Sequence, residues 1–350
     1  MKITGVSITP YQQRLGRGTG SLVELHTDEG LVGVGAGRGA PTAQLNQAVA
    51  GLLMNEDPRG VAGLWERMRE VVHCDVIALL DLALWDLKAK ANDEPLWKTL
   101  GGSRPRVNVH ARGLDMRSSD PDLAEWFGTR ARDCGFRGGV LKVGLDQESD
   151  IRRLGLMRQA LFKGPAEPAL MIDAAEGWSP KEAIRRVREM EEQFDLTWVE
   201  APASRWDFLG LKRVSNAIRA AVCGGESLAA PGEFLPHFHH HALDVVQVGV
   251  GNGGITAALR LADAAFGYEL PVALADSPGN IHAHLAAALP NCMSMEVGEP
   301  VPVDSIFTTD VRIEAGWAVV GDRPGHGLVI DHDALARASI DRSGGAGSAA

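Results

Sequence analysis

The apolar and polar positions change rhythm twice along the chain. Over the first ~50 residues they alternate as strands do. ITGVSITPY (3–11) reads as one strand, and SLVELHTDEGLVGVGAG (21–37) as a hairpin turning at Asp28, Glu29 and Gly30. From about residue 42 to 100 the period becomes helical. VIALLDLALWDLKAK sets Ile77, Leu80, Leu84 and Leu87 at helical spacing, and Gly101–Gly102 stops the pattern. From about residue 107, eight short apolar runs (VNVHA, GGVLKVG, ALMIDA, TWVEA, AAVCGGES, ALDVVQVG, LPVALAD, NCMSMEV) alternate with helical segments such as SPKEAIRRVREMEEQ. That alternation predicts an α+β module followed by a (β/α)8 TIM-type barrel. The expected division is 1–104 for the N-terminal α+β module and 105–305 for the barrel. Residues 306–340 are expected to hold strands that return to the first module, and 341–350 a disordered tail.

Composition narrows the partners. The chain has 350 residues, 45% of them hydrophobic, enough for a large core and two domains. Its formal charge is −10 with no basic block, which argues against nucleic acid and anionic membranes. An anionic substrate remains open, because a bound cation reverses the local sign of a site. MKITGVSITPY carries no basic-then-apolar signal, and no apolar run approaches the roughly 18 residues of a membrane helix. Cys74, Cys134, Cys223 and Cys292 are scattered without a CxxC pair. A reduced, cytoplasmic protein is expected rather than a disulfide scaffold or a zinc site.

In a barrel of this kind chemistry gathers at the C-terminal ends of the strands. Lys142 ends the second apolar run, Asp173 the third, Glu200 the fourth, Glu226 the fifth and Asp276 the seventh. The three central carboxylates are 27 and 26 residues apart, each gap about one βα unit, so they should converge on one rim. Any one of them alone reads equally as the partner of an arginine. Three in succession repel one another unless a cation lies between them. All-oxygen ligation points to Mg²⁺, with Mn²⁺ also suited.

Lys142 alone reads as a snorkelling surface residue. Beside such an ion, and partly desolvated, it is expected to have a depressed pKa and to remove the proton next to a metal-bound carboxylate. Asp276, before SPGN, suits a helix N-cap as well as an acid. His110 in VNVHARG is either a substrate contact or a buried structural histidine. Arg112 reads first as an ion-pairing residue and second as a holder of a distal group. Glu296 in SMEVGE either lines the site or is tied into an ion pair. The run PHFHHH (236–241) reads as a solvated helix or loop rather than a metal tract. The GVGAG and GVGNGG glycines lack the βαβ context of a dinucleotide fingerprint.

In this order, IALLDLALWDLKAKANDEPLWKTLGG, LMIDAAEGWS, WVEAPAS, GGES, GNGGIT, HAHLAAALPN and PGHGLVID resemble the enolase superfamily, in its mandelate racemase/muconate lactonising branch. The resemblance implies an α+β capping domain over a modified (β/α)8 TIM-type barrel, Mg²⁺ held by Asp173, Glu200 and Glu226, a small-molecule carboxylate substrate and a homo-oligomer. Four departures bear on the reaction. Val140 stands where the branch often has the first lysine of a KxK pair. The strand-six acid/base position falls on Val248 or Gly249. Asp276 replaces a strand-seven histidine, and GVGAG replaces the usual GxGE. Both two-base sets are therefore incomplete, which favours β-elimination of water from a hydroxy acid such as an acid sugar. Lys142 would be the base and Asp276 the acid. The alternatives are a racemase, epimerase or cycloisomerase of the same superfamily, and a carboxylate-binding protein that has lost catalysis.

Overall fold

The computed structural model describes residues 1–340 apart from 14–17, 163, 165, 229, 252, 276, 299 and 301–305. Near the N-terminus, β1 (Ile3–Gln12), β2 (Thr19–Thr27) and β3 (Val32–Arg38) form an antiparallel sheet in that order. The β2–β3 hairpin turns where the sequence places it, with Gly30 at φ +80°. Four helices follow: α1 (Thr42–Ala48), α2 (Val61–Arg69), α3 (Cys74–Ala91) and α4 (Leu96–Thr99). Helix α3 is buried almost all round because β3 covers one side and the barrel the other. A Cβ on Gly33 would collide with the Ala83 carbonyl, and one on Gly35 with the Leu79 carbonyl. The GVGAG glycines are thus a packing device that lets the strand touch the helix backbone.

Eight parallel strands close into a barrel: β4 (Arg106–Ala111), β5 (Gly138–Lys142), β6 (Ala169–Asp173), β7 (Leu196–Glu200), β8 (Ala221–Gly224), β9 (Val245–Val248), β10 (Val272–Leu274) and β11 (Cys292–Val297). Pairing of β11 with β4 completes the circle. Side chains alternate as a closed sheet requires. Val140, Met171, Trp198, Cys223, Val245 and Ala273 fill the interior, while Leu141, Ile172, Val199, Val222 and Val246 face the helices. The outer layer is α5 (Asp120–Asp133), α6 (Gln147–Leu161), α7 (Pro180–Glu191), α8 (Phe208–Ala217), α9 (Pro231–His239), α10 (Gly254–Gly267) and the short α11 (His282–Ala286). Ser119, Asp146, Ser179 and Asp207 cap α5 to α8 by accepting from a backbone N–H three residues on. No helix of the described residues is long and apolar enough to cross a membrane.

The chain ends with β12 (Phe307–Thr308), β13 (Arg312–Glu314), β14 (Trp317–Val319), β15 (Val329–Ile330) and α12 (His332–Ala338). The β13–β14 hairpin does not join the N-terminal sheet. It pairs antiparallel with the start of β4, extending the barrel sheet. The return runs instead through later residues: the Leu96 N–H donates to the Gly325 carbonyl at 2.7 Å and the Ile340 N–H to the Pro10 carbonyl at 3.0 Å. The buried Asp86 carboxylate accepts from the N–H groups of Val34 and His326 and from Lys90 Nζ, tying three segments at one point.

A second buried carboxyl clamps α3 to the barrel. Asp81 accepts from the Thr256 N–H at 2.9 Å and its hydroxyl at 2.6 Å, at the first turn of α10. Trp85 Nε1 donates to the same hydroxyl at 2.9 Å, and Trp65 Nε1 to the Gly253 carbonyl at 2.7 Å. Gly254 has φ +84°, and a Cβ there would stand 2.5 Å from Asp81 Cβ. The GNGGIT motif is therefore the socket for Asp81. Burial pushes that carboxyl up to about 7, against the hydrogen bonds of Thr256 and Ile255.

Candidate active site

Strands β5, β6 and β7 run in register at their ends, Lys142 beside Asp173 and Asp173 beside Glu200. All three belong to the inward-facing set, two residues on from the buried Val140, Met171 and Trp198. Fifth in the series, Glu226 lies two residues beyond the end of β8 and is exposed, whereas Asp173 and Glu200 are buried. Lys142, Asp173, Glu200 and Glu226 line one cavity of about 170 Å³ at the barrel mouth. His110, Arg112 and Glu296 are not in that lining. His110 is buried lower in the barrel, its Nδ1 3.0 Å from the Ser294 hydroxyl and its ring edge-on to Trp198. Burial holds it near 3, so it is neutral. Arg112 Nε lies 3.8 Å from a Glu296 oxygen. Asp276 lies outside the described residues.

Lys142 Nζ donates to Asp173 Oδ2. Burial by itself lowers the ammonium's pKa, but the charge and hydrogen bond of Asp173, with Glu200 and Glu296 behind, raise it above the ordinary lysine value. The depressed pKa expected from the sequence is that of Lys142 beside a bound cation; without one, Lys142 itself supplies the positive charge that β5 sets against these carboxylates. Glu200 is pushed well above the ordinary carboxylate range by burial and by Asp173, Glu296 and Glu226, with Lys142 pulling the other way. Its Oε2 is buried without a hydrogen-bond partner.

These features fit a divalent cation. The donors are carboxylate oxygens, two of them buried side by side, and one oxygen is unpaired. Three metal-type donors within 4.8 Å of one another do occur among the described residues, at the exposed His73 with the half-buried Cys74 and Asp75 rather than at these carboxylates. That trio opens α3 and lies outside the cavity lining.

The strand ends are strained. Ala175 (φ 47°), Glu176 (φ 63°) and Ala201 (φ 42°) all adopt left-handed backbone just past Asp173 and Glu200. Such residues each cost about 1–2 kcal/mol, and they persist only when the surroundings over-determine them. Here the Ala175 N–H donates to Asp173 Oδ1 at 2.7 Å, and the Glu176 N–H to the Ala201 carbonyl at 2.7 Å. Arg205 then pairs with Glu176 at 2.6 Å and donates to the Ser227 carbonyl at 2.8 Å, bracing three loops.

Across the barrel from Lys142, four strands away, β9 ends in Gln247 and Val248, with Gly249 next. Gln247 faces the cavity and Val248 the outer layer. At Gly249 a Cβ would meet Ala275 Cβ at 3.7 Å and His282 Cε1 at 4.0 Å. The His282 ring is fully engaged: Nε2 accepts from the Val250 N–H at 3.0 Å and Nδ1 contacts the Ala275 carbonyl. It braces the ends of β9 and β10. The sequence did not point to Glu176, Arg205, Gln247 or His237, which also line the cavity; His237 is the one with a readable signal. It sits on α9 as expected of a helix, but it is 2% exposed rather than solvated. The signal was available, since Phe234, His237 and Phe238 share a helical face.

The comparisons agree with this architecture. Residues 9–101 match the mandelate racemase/muconate lactonizing enzyme N-terminal domain, and residues 122–334 the enolase C-terminal domain-like family. The 3,6-anhydro-alpha-L-galactonate cycloisomerase of Streptomyces coelicolor is 30% identical, covering 91% of each chain. The L-talarate/galactarate dehydratase of Salmonella typhimurium is 30% identical over 89% of this chain and 81% of its own. Among solved structures, the L-talarate dehydratase of Polaromonas sp. JS666, complexed with Mg and L-glucarate, superposes with a TM-score of 0.84 at 27% identity, covering 97% of this chain and 98% of its own. A lysine and carboxylates in register at the mouth of a closed barrel, under a cap that matches in sequence, place this chain in the mandelate racemase/muconate lactonising enzyme branch of the enolase superfamily.

Proposed function

We propose that the protein is a dehydratase that removes water from a hydroxylated carboxylate, with Lys142 as the base. One observation carries this reading: among the described residues the acid/base chemistry is one-sided. Lys142 faces the cavity from β5, while the opposite strand offers an amide and a glycine backed by a fully hydrogen-bonded His282. A racemase that works through two bases needs a proton-transfer group on each face of the carbanion; elimination needs one base and an acid for the leaving hydroxyl.

Asp173, Glu200 and Glu226 would hold Mg²⁺. When bound, the ion would stabilise charge developing on the substrate carboxylate and would neutralise the anions that keep Lys142 protonated. Lys142 Nζ takes the α-proton and its electron pair forms the C=C bond. The β-carbon–oxygen bond breaks, and the hydroxide leaves as water with a proton from the acid, assigned by sequence to Asp276. The enol then tautomerises to a 2-keto-3-deoxy acid. The strained turns after β6 and β7 support this reading, because strain of that kind collects where side chains must be held at fixed positions.

A cycloisomerase is the second reading, favoured by the Streptomyces relative of equal identity. It too works with a single base, but it conserves mass. The test is NMR and mass spectrometry in D₂O with Mg²⁺ and a pool of acid sugars, hydroxy acids and sugar lactones. Loss of water with deuterium incorporation supports the dehydratase. A product isomeric with its substrate, deuterium uptake apart, supports the cycloisomerase, and α-deuteration of unchanged substrate would overturn both.

A further inference from the structure

The cavity does not end at the carboxylates. Its lining continues past Gly224 and Gly225 to His237 on α9 and Gln247 on β9, between Leu211, Leu228 and Leu243. Gly225 makes the step possible: it has φ +128°, and a Cβ there would stand 2.6 Å from the Gln247 carbonyl oxygen. His237 is 2% exposed and Gln247 3%. Neither ring nitrogen of His237, nor Oε1 of Gln247, has a hydrogen-bond partner. Phe208 meets the imidazole in a T-shaped contact at 4.9 Å and Phe234 packs at 6.4 Å, which fixes the ring in place. Buried polar atoms are seldom left unpaired, and three in the lining of one cavity that also holds carboxylates point to a ligand that pairs with them.

The chemistry of that ligand can be read from the wall. Burial holds the imidazole neutral, near 4, so it presents one donor and one acceptor, and the amide oxygen adds an acceptor. Hydroxyl groups, which donate and accept, match this set. A second carboxylate does not. Of the cations lining the cavity, Lys142 is paired with Asp173 and Arg205 with Glu176, and the arm itself contributes none among the described residues. We propose that this inner arm is a subsite for the uncharged, hydroxyl-bearing end of the substrate, so that the protein selects a polyhydroxy monocarboxylate over both a short hydroxy acid and a diacid. The proposal rests on the reading of the site as one for a hydroxylated carboxylate.

The test is calorimetric titration of the full-length, Mg²⁺-loaded protein with three kinds of probe: lactate, a panel of five- and six-carbon aldonates, and galactarate. Wild-type protein should bind its best aldonate at least tenfold more tightly than lactate or galactarate. His237→Phe keeps the ring volume without the nitrogens, and Gln247→Leu removes the amide. Each should weaken the aldonate at least tenfold and leave lactate unchanged. If His237→Phe fails to fold, Gln247→Leu carries the comparison. Equal effects on lactate and aldonate, or none, would overturn the subsite while leaving the general site intact, as would tightest binding of galactarate or an arm that holds water only. If nothing in the three classes binds with Mg²⁺, the reading of the whole site as one for hydroxylated carboxylates fails.

Discussion

Replacing Gly254 with alanine should be among the most damaging single-methyl additions to this protein. Two costs combine. The backbone at φ +84° is left-handed, which penalises alanine by about 1–2 kcal/mol. The new Cβ would also stand 2.5 Å from Asp81 Cβ and 2.7 Å from Cγ, so α3 and α10 must part or Asp81 must rotate. Either movement breaks the hydrogen bonds from the Thr256 N–H and hydroxyl and strands a buried carboxyl, at about 1–3 kcal/mol. Together these give a loss of about 2–5 kcal/mol, a large part of a typical domain's stability. Gly251 is the control. It is exposed, a Cβ there meets nothing within 4 Å, and Gly251→Ala should stay within about 0.5 kcal/mol of wild type. Urea unfolding followed by tryptophan fluorescence measures both. A Gly254→Ala midpoint matching that of Gly251→Ala would refute the argument that Asp81 requires a glycine here.

Three further outcomes follow from the charges. Asp81 is raised from 3.8 to about 7 by burial, so its contribution to stability is fully present below about pH 4 and is lost as pH rises toward 7. Asp81→Asn should remove a slope of up to about 1.4 kcal/mol per pH unit from that window, and unfolding curves with the same pH dependence in both proteins would contradict it. Lys142→Met should slow α-proton exchange by about 10²–10⁴ while tightening Mg²⁺, because the ammonium no longer competes for Asp173. Unchanged exchange on a turned-over substrate would remove Lys142 from the role of base. Glu200→Gln should stabilise the metal-free protein by roughly 1 kcal/mol, since it relieves a buried, mutually repelled carboxylate, and should weaken Mg²⁺ more than tenfold. A less stable metal-free variant in thermal melts would count against that account.

Much of this was legible in the chain because regular spacing is a strong signal. Apolar runs one βα unit apart gave the barrel, and the residues ending those runs gave Lys142, Asp173 and Glu200, all of which line the cavity. What was not legible depended on distant partners. No local pattern says that Gly33 and Gly35 must clear the carbonyls of α3, or that Gly254 must clear Asp81, 173 residues away. The β13–β14 hairpin looked like a return to the cap because strand propensity does not name a partner; its pairing with β4 is a tertiary choice. How strongly Asp173, Glu200 and Glu296 hold the Lys142 proton also depends on strands far apart in the chain. His237 was hidden in a histidine run whose polarity suggested solvent, although Phe234 and Phe238 beside it mark a buried face.

The clamp between α3 and the first turn of α10 also bears on the order in which the molecule is assembled. Trp65, Asp81 and Trp85 reach partners 171 to 188 residues later in the chain. During synthesis at ~10 residues per second, those side chains emerge roughly 17 seconds before the turn they grip. The carboxyl and two indoles of the N-terminal domain are therefore already synthesised when the glycine turn that receives them emerges. The barrel's sixth βα unit is moulded on its own cap, so a cap exchanged between relatives must bring its α3 residues with it.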